Sequence, residues 1–135
     1  MNKKEGLNQI IKYWTEKSDE SLKSAENELK AEHLSFSVNR IYYSCFYIVS
    51  AFLLQKGFMF KKHSGVRASF HEHLVKSGFV GMEEGKFYDK LFTARMKGDY
   101  VEFTHFEKEE VKDWLKKAKE FVNKVKRLIE KTRGK

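Results

Sequence analysis

In the second half of the chain lies Arg95-Met-Lys-Gly-Asp99-Tyr100, which gathers a guanidinium, a carboxylate and a phenol within six residues. Gly98 among them lets backbone approach a ligand closely. An arginine holds phosphate through two parallel N–H donors, and a tyrosine stacks on a base or donates a hydrogen bond. The same spacing also permits a structural role. Arg95 can pair with Asp99 one turn on, as a bridge at a helix end, with Tyr100 packed beneath. Arg40 is the second candidate: it opens an otherwise uncharged run and is followed by Tyr42 and Tyr43. A buried arginine there needs a partner, and Asp99 is a suitable one. Lys61, Lys62 and His63 form a basic loop whose position the sequence does not give, read as solvated surface.

Other chemistry is poorly represented. Of the five histidines, His71 and His73 stand two apart and cannot share a helix face. No cysteine joins them, and His33 and His105 have no ligand neighbours, so no metal site is expected. The eight glycines are scattered at helix ends and form no phosphate loop. Nothing resembles a catalytic triad, and no cofactor is expected.

These residues need elements to position them. With no proline and with many Lys, Glu, Leu and Ala, the composition favours helix over sheet. Hydrophobic residues make up 41% of the 135, and 12 Phe, 6 Tyr and 2 Trp supply much apolar surface. That is enough for one domain over residues 1–135, with its core at about 5–131. The run Asn39–Gly57 is apolar on every side and uncharged from Ile41 to Leu54, too short to span a bilayer as a helix. It reads as a central helix surrounded by others, capped by Ser35 and stopped at Gly57.

Before it, a helix from Lys3 to about Ala31 carries a stripe of Leu7, Ile10, Ile11, Trp14, Leu22, Ala25 and Leu29, weakened where Ser18 and Ser21 fall on the same side. After it, Ser64 caps a short helix from Gly65 to about Lys76 that turns Val66, Phe70 and Leu74 inward, and Gly78 stops it. A fourth helix starts near Met82 with Phe87, Leu91, Phe92 and Met96 as its apolar face, and Gly98 ends or loosens it. The last helix has the cleanest period, from Val111 through Trp114, Leu115, Ala118, Phe121, Val122, Val125, Leu128 and Ile129. Thr104-x-x-Glu107 reads as its capping box, with Glu109 and Glu110 at the positive end of its dipole. Residues Thr132–Lys135 should fray. The expected fold is an all-α, up-and-down bundle of about five helices, the third the shortest.

Lys and Arg total 27 against 19 Asp and Glu, a net charge of +8, and 11 of the 27 lie between Lys108 and Lys135. Such a balance suits RNA, a nucleotide or an acidic protein as partner, or simply a Lys-rich soluble surface. The single cysteine, Cys45, has no partner for a disulfide and sits in the central helix, where it reads as a small core residue. Lys3, Lys4 and Glu5 lead into a mixed-polarity segment rather than a signal peptide, so the cytoplasm is the expected location.

Asn39-Arg-Ile-Tyr-Tyr-Ser-Cys-Phe-Tyr-Ile-Val-Ser-Ala-Phe-Leu-Leu-Gln-Lys-Gly57 resembles the R-x-Y-Y-x-x-F…L-L-x-x-x-G helix of HEPN-domain proteins. The likeness continues through Lys62-His63-Ser64-Gly65-Val66, through Phe70-x-x-His73-Leu74-Val75-Lys76-x-Gly78, and through Arg95-x-x-x-Asp99-Tyr100. It covers about residues 10–128 and follows the order of a small stand-alone prokaryotic branch. The resemblance implies a HEPN-like bundle that pairs as a homodimer. It also implies a minimal nucleotidyltransferase partner in a toxin–antitoxin-like module, which could modify Tyr100. Many members are metal-independent ribonucleases with an Arg-x4–6-His motif at the dimer cleft. This chain departs there, because Gly98 stands where the histidine would be. The formal match Arg67-x5-His73 lies in the wrong helix. A phenol such as that of Tyr100 is a poor base at neutral pH.

The resulting expectation is a nucleotide- or RNA-binding homodimer. In it Arg95 and Arg40 contact phosphate, Tyr100 stacks or orients, Asp99 positions an arginine and His63 lies at the ligand. One rival is an RNA endonuclease using Arg95 and Tyr100 with His63. The other is a pure interaction module in which Arg95, Asp99 and Tyr100 only stabilise a helix corner.

Overall fold

The computed structural model describes residues 2–102 and 104–133. Its helices are α1 (Lys3–Lys30), α2 (Leu34–Gln55), α3 (His63–Phe70), α4 (Met82–Tyr100) and α5 (Lys108–Thr132), and α3 runs directly into a π-helical turn, His71–Val75. No strand occurs among the described residues, so the chain is the expected all-α bundle. Cross-links fix the directions. Asp19 and Glu26 of α1 meet Lys126 and Lys119 of α5 in antiparallel order, and Asn39 and Tyr42 of α2 meet Asp99 and Arg95 of α4 likewise. Among the described residues no helix is long and apolar enough to cross a membrane.

Ser18, one of the serines that weaken the α1 stripe, helps to join α1 to α2. Ser18 donates to the carbonyl of Ser44 at 2.7 Å, and Ser37 donates to that of Ala25 at 2.8 Å. Ser18, Ser37, Ser44 and Ala25 are all fully buried. Small side chains permit close backbone approach, and each hydroxyl finds an acceptor, so its burial is offset. Ile10, placed in the apolar stripe by spacing, is 42% exposed. The core is otherwise built on α2, whose Val38, Ile41, Tyr42, Cys45, Ile48, Val49, Ala51 and Phe52 have no exposure. Burial pushes the Cys45 thiol up to about 12, as befits an inert core residue.

Several boundaries differ from those the sequence predicts. α2 starts at Leu34 behind His33, which makes no side-chain cap, so Ser35 lies inside the helix. Nor is α2 surrounded: its row of Phe36, Arg40, Tyr43 and Tyr47 is open at the N-terminal half, with Phe36 65% exposed. α3 starts at His63, one residue before its expected Ser64 cap, behind Lys62. In α4 the buried residues are Gly85, Tyr88, Leu91, Ala94 and Arg95, whereas Met96 faces solvent. Gly98 does not end that helix. A Cβ there would come within 3.0 Å of the Phe106 ring, so glycine is the residue that lets Phe106 pack on α4. Thr104 forms no capping box, because its hydroxyl donates to the carbonyls of Lys97 and Val101 and closes the end of α4 instead. α5 therefore begins at Lys108 after an uncapped Glu107. Of the segment expected to fray, Thr132 is still helical and receives a bond from Gln55 at 2.8 Å, while residues 134–135 lie outside the described residues.

α2 ends as the sequence predicts. Gly57 has φ +94, and the amides of Gly57 and Phe58 bond back to the carbonyls of Leu54 and Leu53. This is a Schellman close. No atom lies within 4 Å of a Cβ built on Gly57. Gly57→Ala should therefore cost only the left-handed backbone strain, about 1–2 kcal/mol, read as a lower urea midpoint with unchanged slope.

Candidate functional site

Three elements meet where the first half of α2 faces the second half of α4, with the start of α3 beside them. Arg95 on α4 is 8% exposed, and its guanidinium lies over the Tyr42 ring at 4.8 Å. Asp99, one turn on, approaches to 3.8 Å, close enough for charge attraction but too far for a good hydrogen bond. The Nε of Arg95 has no acceptor. The expected helix-end pair is thus present, but Asp99 directs its hydrogen-bonding oxygen to Asn39, whose amide donates at 3.0 Å. Asn39 in turn accepts from Arg40 Nε at 2.9 Å. Arg40 is therefore joined to Asp99 only through Asn39, not directly as its sequence position predicts.

Tyr43 is the shared surface of this cluster. Arg40 lies over its ring at 4.9 Å, Arg95 at 5.9 Å, and the His63 imidazole meets it edge-on at 5.6 Å. Aromatic faces attract cations electrostatically, which lets two arginines stand near one another without a carboxylate for each. His63 is not loop surface. It is the first residue of α3, stacked on Phe46 at 4.2 Å, with Nδ1 and the Tyr42 hydroxyl 2.8 Å apart. Burial, and then the nearby Arg95 charge, lower its pKa, so the imidazole is neutral at pH 7. Burial pushes the Tyr42 phenol up to about 12, keeping it a hydroxyl. With Nδ1 engaged by Tyr42, Nε2 is the nitrogen left for a ligand.

Tyr100 does not pack beneath the Arg95–Asp99 pair. It is 74% exposed, in a rim of apolar surface with Met96 and Val101. Arg40, His63, Arg95 and Asp99 are thus brought together, and Tyr100 stands outside them. What sequence reading missed is the pair of rings, Tyr42 and Tyr43, and the amide of Asn39. The motif Arg-x-Tyr-Tyr was a signal for the rings, since adjacent aromatics after an arginine place one ring in the core and one at its border.

A second polar group lies farther along the same seam. Asp89 Oδ1 accepts from Arg67 Nε and pairs with His71 Nε2, each at 2.8 Å, and Arg67 lies over the Phe92 ring at 4.8 Å. Burial raises the Asp89 carboxyl, but the bonds from His71 and Arg67 outweigh it and leave its pKa below the ordinary value. The histidine facing Arg67 is His71, four residues on, and His73 instead stacks on Phe58 at 4.2 Å. Among the described residues, no three metal-ligating side chains converge.

A family model described as the HEPN domain matches residues 11–128. A UPF0332 protein of Thermotoga maritima is 51% identical over 130 residues, covering 96% of both chains. A protein of Methanocaldococcus jannaschii named as a "putative toxin" is 37% identical over 114 residues, which is 84% of this chain and 78% of that one.

The lowered pKa of His63 couples its protonation to folding. The folded state binds fewer protons than the unfolded one, so this contribution is present above the unfolded value near 6.5 and is lost as pH falls through the folded value. In an NMR titration the His63 ring should titrate below 6.5. Arg95→Met should raise that value without restoring it fully, because burial remains. An unchanged His63 titration in Arg95→Met would show that the arginine charge does not reach the imidazole.

Proposed function

The chain belongs to the HEPN-domain family, and from that premise we propose that it is a toxin-like, RNA- or nucleotide-binding homodimer of the cytoplasm, partnered by a minimal nucleotidyltransferase. The carrying observation is Arg95, a nine-tenths buried guanidinium with one donor unmatched and its nearest carboxylate at 3.8 Å. A phosphate oxygen supplies the acceptors that Asp99 does not. In this reading Arg40, held by Asn39 and Tyr43, contacts the same or the next phosphate. Asp99 holds Asn39 and so positions Arg40. The neutral His63 offers Nε2, and the exposed Tyr100 stacks or orients at the rim.

The homodimer reading draws on the uncovered row of α2. Phe36, Tyr100, Val101 and Met96 are 65%, 74%, 56% and 44% exposed around the site, an apolar border that a second copy would cover. The copy would also close the site against bulk water and strengthen every charge contact inside it.

His63 gives specific support to a second reading, a metal-independent RNA endonuclease. In this reading the role of the family's histidine falls to the His63 imidazole, which is in contact with Tyr42 and beside Arg95. A neutral imidazole is a competent general base near pH 7. The pure interaction module, by contrast, gives no reason for an unmatched arginine.

Metal-free protein incubated with mixed cellular RNA should retain it, and Arg95→Met, which fills the same space, should weaken retention about ten- to a hundredfold. Loss of melting temperature with unchanged RNA retention would leave Arg95 a structural residue. Cleavage that persists in chelator and disappears in His63→Gln would select the endonuclease reading. Light scattering should give twice the chain mass, and Phe36→Glu should reduce it to one. A wild-type protein that is monomeric throughout the working concentration range would remove the homodimer from the proposal.

A further inference from the structure

The seven residues between α2 and α3, Lys56-Gly-Phe-Met-Phe-Lys-Lys62, keep their apolar side chains in solvent. Phe58 is 36%, Met59 64% and Phe60 40% exposed. They do not belong to the core, yet they are not loose. Phe58 stacks on His73 at 4.2 Å, and Phe60 lies against Gly65, where an added Cβ would meet its ring at 3.1 Å. Each ring thus has one supported face and open surface beyond it. The loop follows α3 from the level of His73 back to His63, so the strip Phe58–Met59–Phe60–Lys61–Lys62 ends at the imidazole that packs on Phe46.

Along the chain, the charge flanking the strip is of one sign. From His33 to His71 the chain holds no Asp or Glu, while Arg40, Lys56, Lys61, Lys62 and Arg67 all fall there. Lys56 lies over the rings of Phe52 and Phe79, which keeps a cation at the far end of the patch as well. Supported aromatic rings followed by two lysines with no ion-pair partner among the described residues, beside an arginine-histidine site, match a polyanion that carries flat apolar groups. A single-stranded nucleic acid has both features, and its unpaired bases stack on such rings while cations track its backbone.

We propose that Phe58–Met59–Phe60 is a base-stacking subsite that receives unpaired bases of an RNA strand whose phosphate is held at Arg95 and His63. This inference rests on the phosphate-binding reading above and adds the form of the ligand. Bases paired in a duplex present no open face to Phe58 or Phe60, so the subsite favours single strands. Lys61 and Lys62 contact the backbone between the subsite and His63, without preference for sequence.

The test uses fluorescence anisotropy with the full chain and two probes, a labelled 12-nucleotide single-stranded RNA and a blunt duplex of the same sequence. Phe58→Leu/Phe60→Leu keeps apolar bulk against His73 and Gly65 but removes both rings, and its melting temperature serves as the control for folding. The expected result is tighter binding of the single strand by wild type, a loss of about tenfold for that probe in the double variant, and little change for the duplex. Equal weakening for both probes, or none, overturns the subsite. Single-strand binding that depends on Arg95 but not on the two rings sinks this inference and leaves the phosphate site standing. Failure of wild type to bind either probe removes both. A double variant that turns from dimer to monomer in light scattering assigns the strip to a second copy of the chain and overturns its role in stacking.

Discussion

The burial of Arg95 against Tyr42 is the contact on which this end of the bundle depends. A guanidinium removed from water carries a large desolvation cost unless something replaces its hydration. Here the replacement is mostly aromatic, with Asp99 at the edge of useful range. That choice sets the neighbours. Tyr42 must lie flat beneath the arginine, and its hydroxyl then reaches His63 and holds the start of α3 against α2. Tyr43 must border the core, where it also receives Arg40. Asp99, released from full engagement with Arg95, is free to bind Asn39. Three helices are placed by one arginine and two rings.

This arrangement is also why the site is cationic without being self-quenched. A carboxylate matched to each arginine would stabilise the bundle more and leave nothing for an anion. Rings hold the cations in position and keep their charge available. The same logic separates this cluster from the Arg67–Asp89–His71 group on the same seam, where one carboxylate oxygen takes two donors and the demand is met internally. Of the two polar groups, only the one at Arg95 keeps a buried donor unmatched.

The helices were legible because their signals are local. The 3.6 period of α5 and the glycine stops at Gly57 and Gly78 depend on neighbours in sequence, and both glycines adopt positive φ as expected. The type and spacing of Arg95 and Asp99 likewise revealed an i,i+4 pair. What escaped was set by distant partners. Gly98 reads as a helix breaker until Phe106 is seen to occupy the space a side chain would need. Thr104 reads as the start of one helix because the carbonyls it closes on the previous helix are invisible in sequence. Ser18 and Ser21 read as flaws in an apolar stripe, although small buried serines are what a close helix pair requires. His63 looked like surface because the loop before it folds back along α3, a path no periodicity reports.

The π-helical turn at His71–Val75 gives the third helix a phase that an ordinary helix would not have. One residue corresponds to about 100° of rotation, so the wider turn acts as a spacer between two angular settings. Before it, His63, Arg67 and Phe70 take their bearings from α2 and α4; within it, Leu74 is fully buried while His73 meets Phe58. The length of this segment is therefore as constrained as its composition. Removing a single residue there would bring the two parts into one continuous spiral and swing the imidazole of His63 away from Tyr42 without changing any side chain.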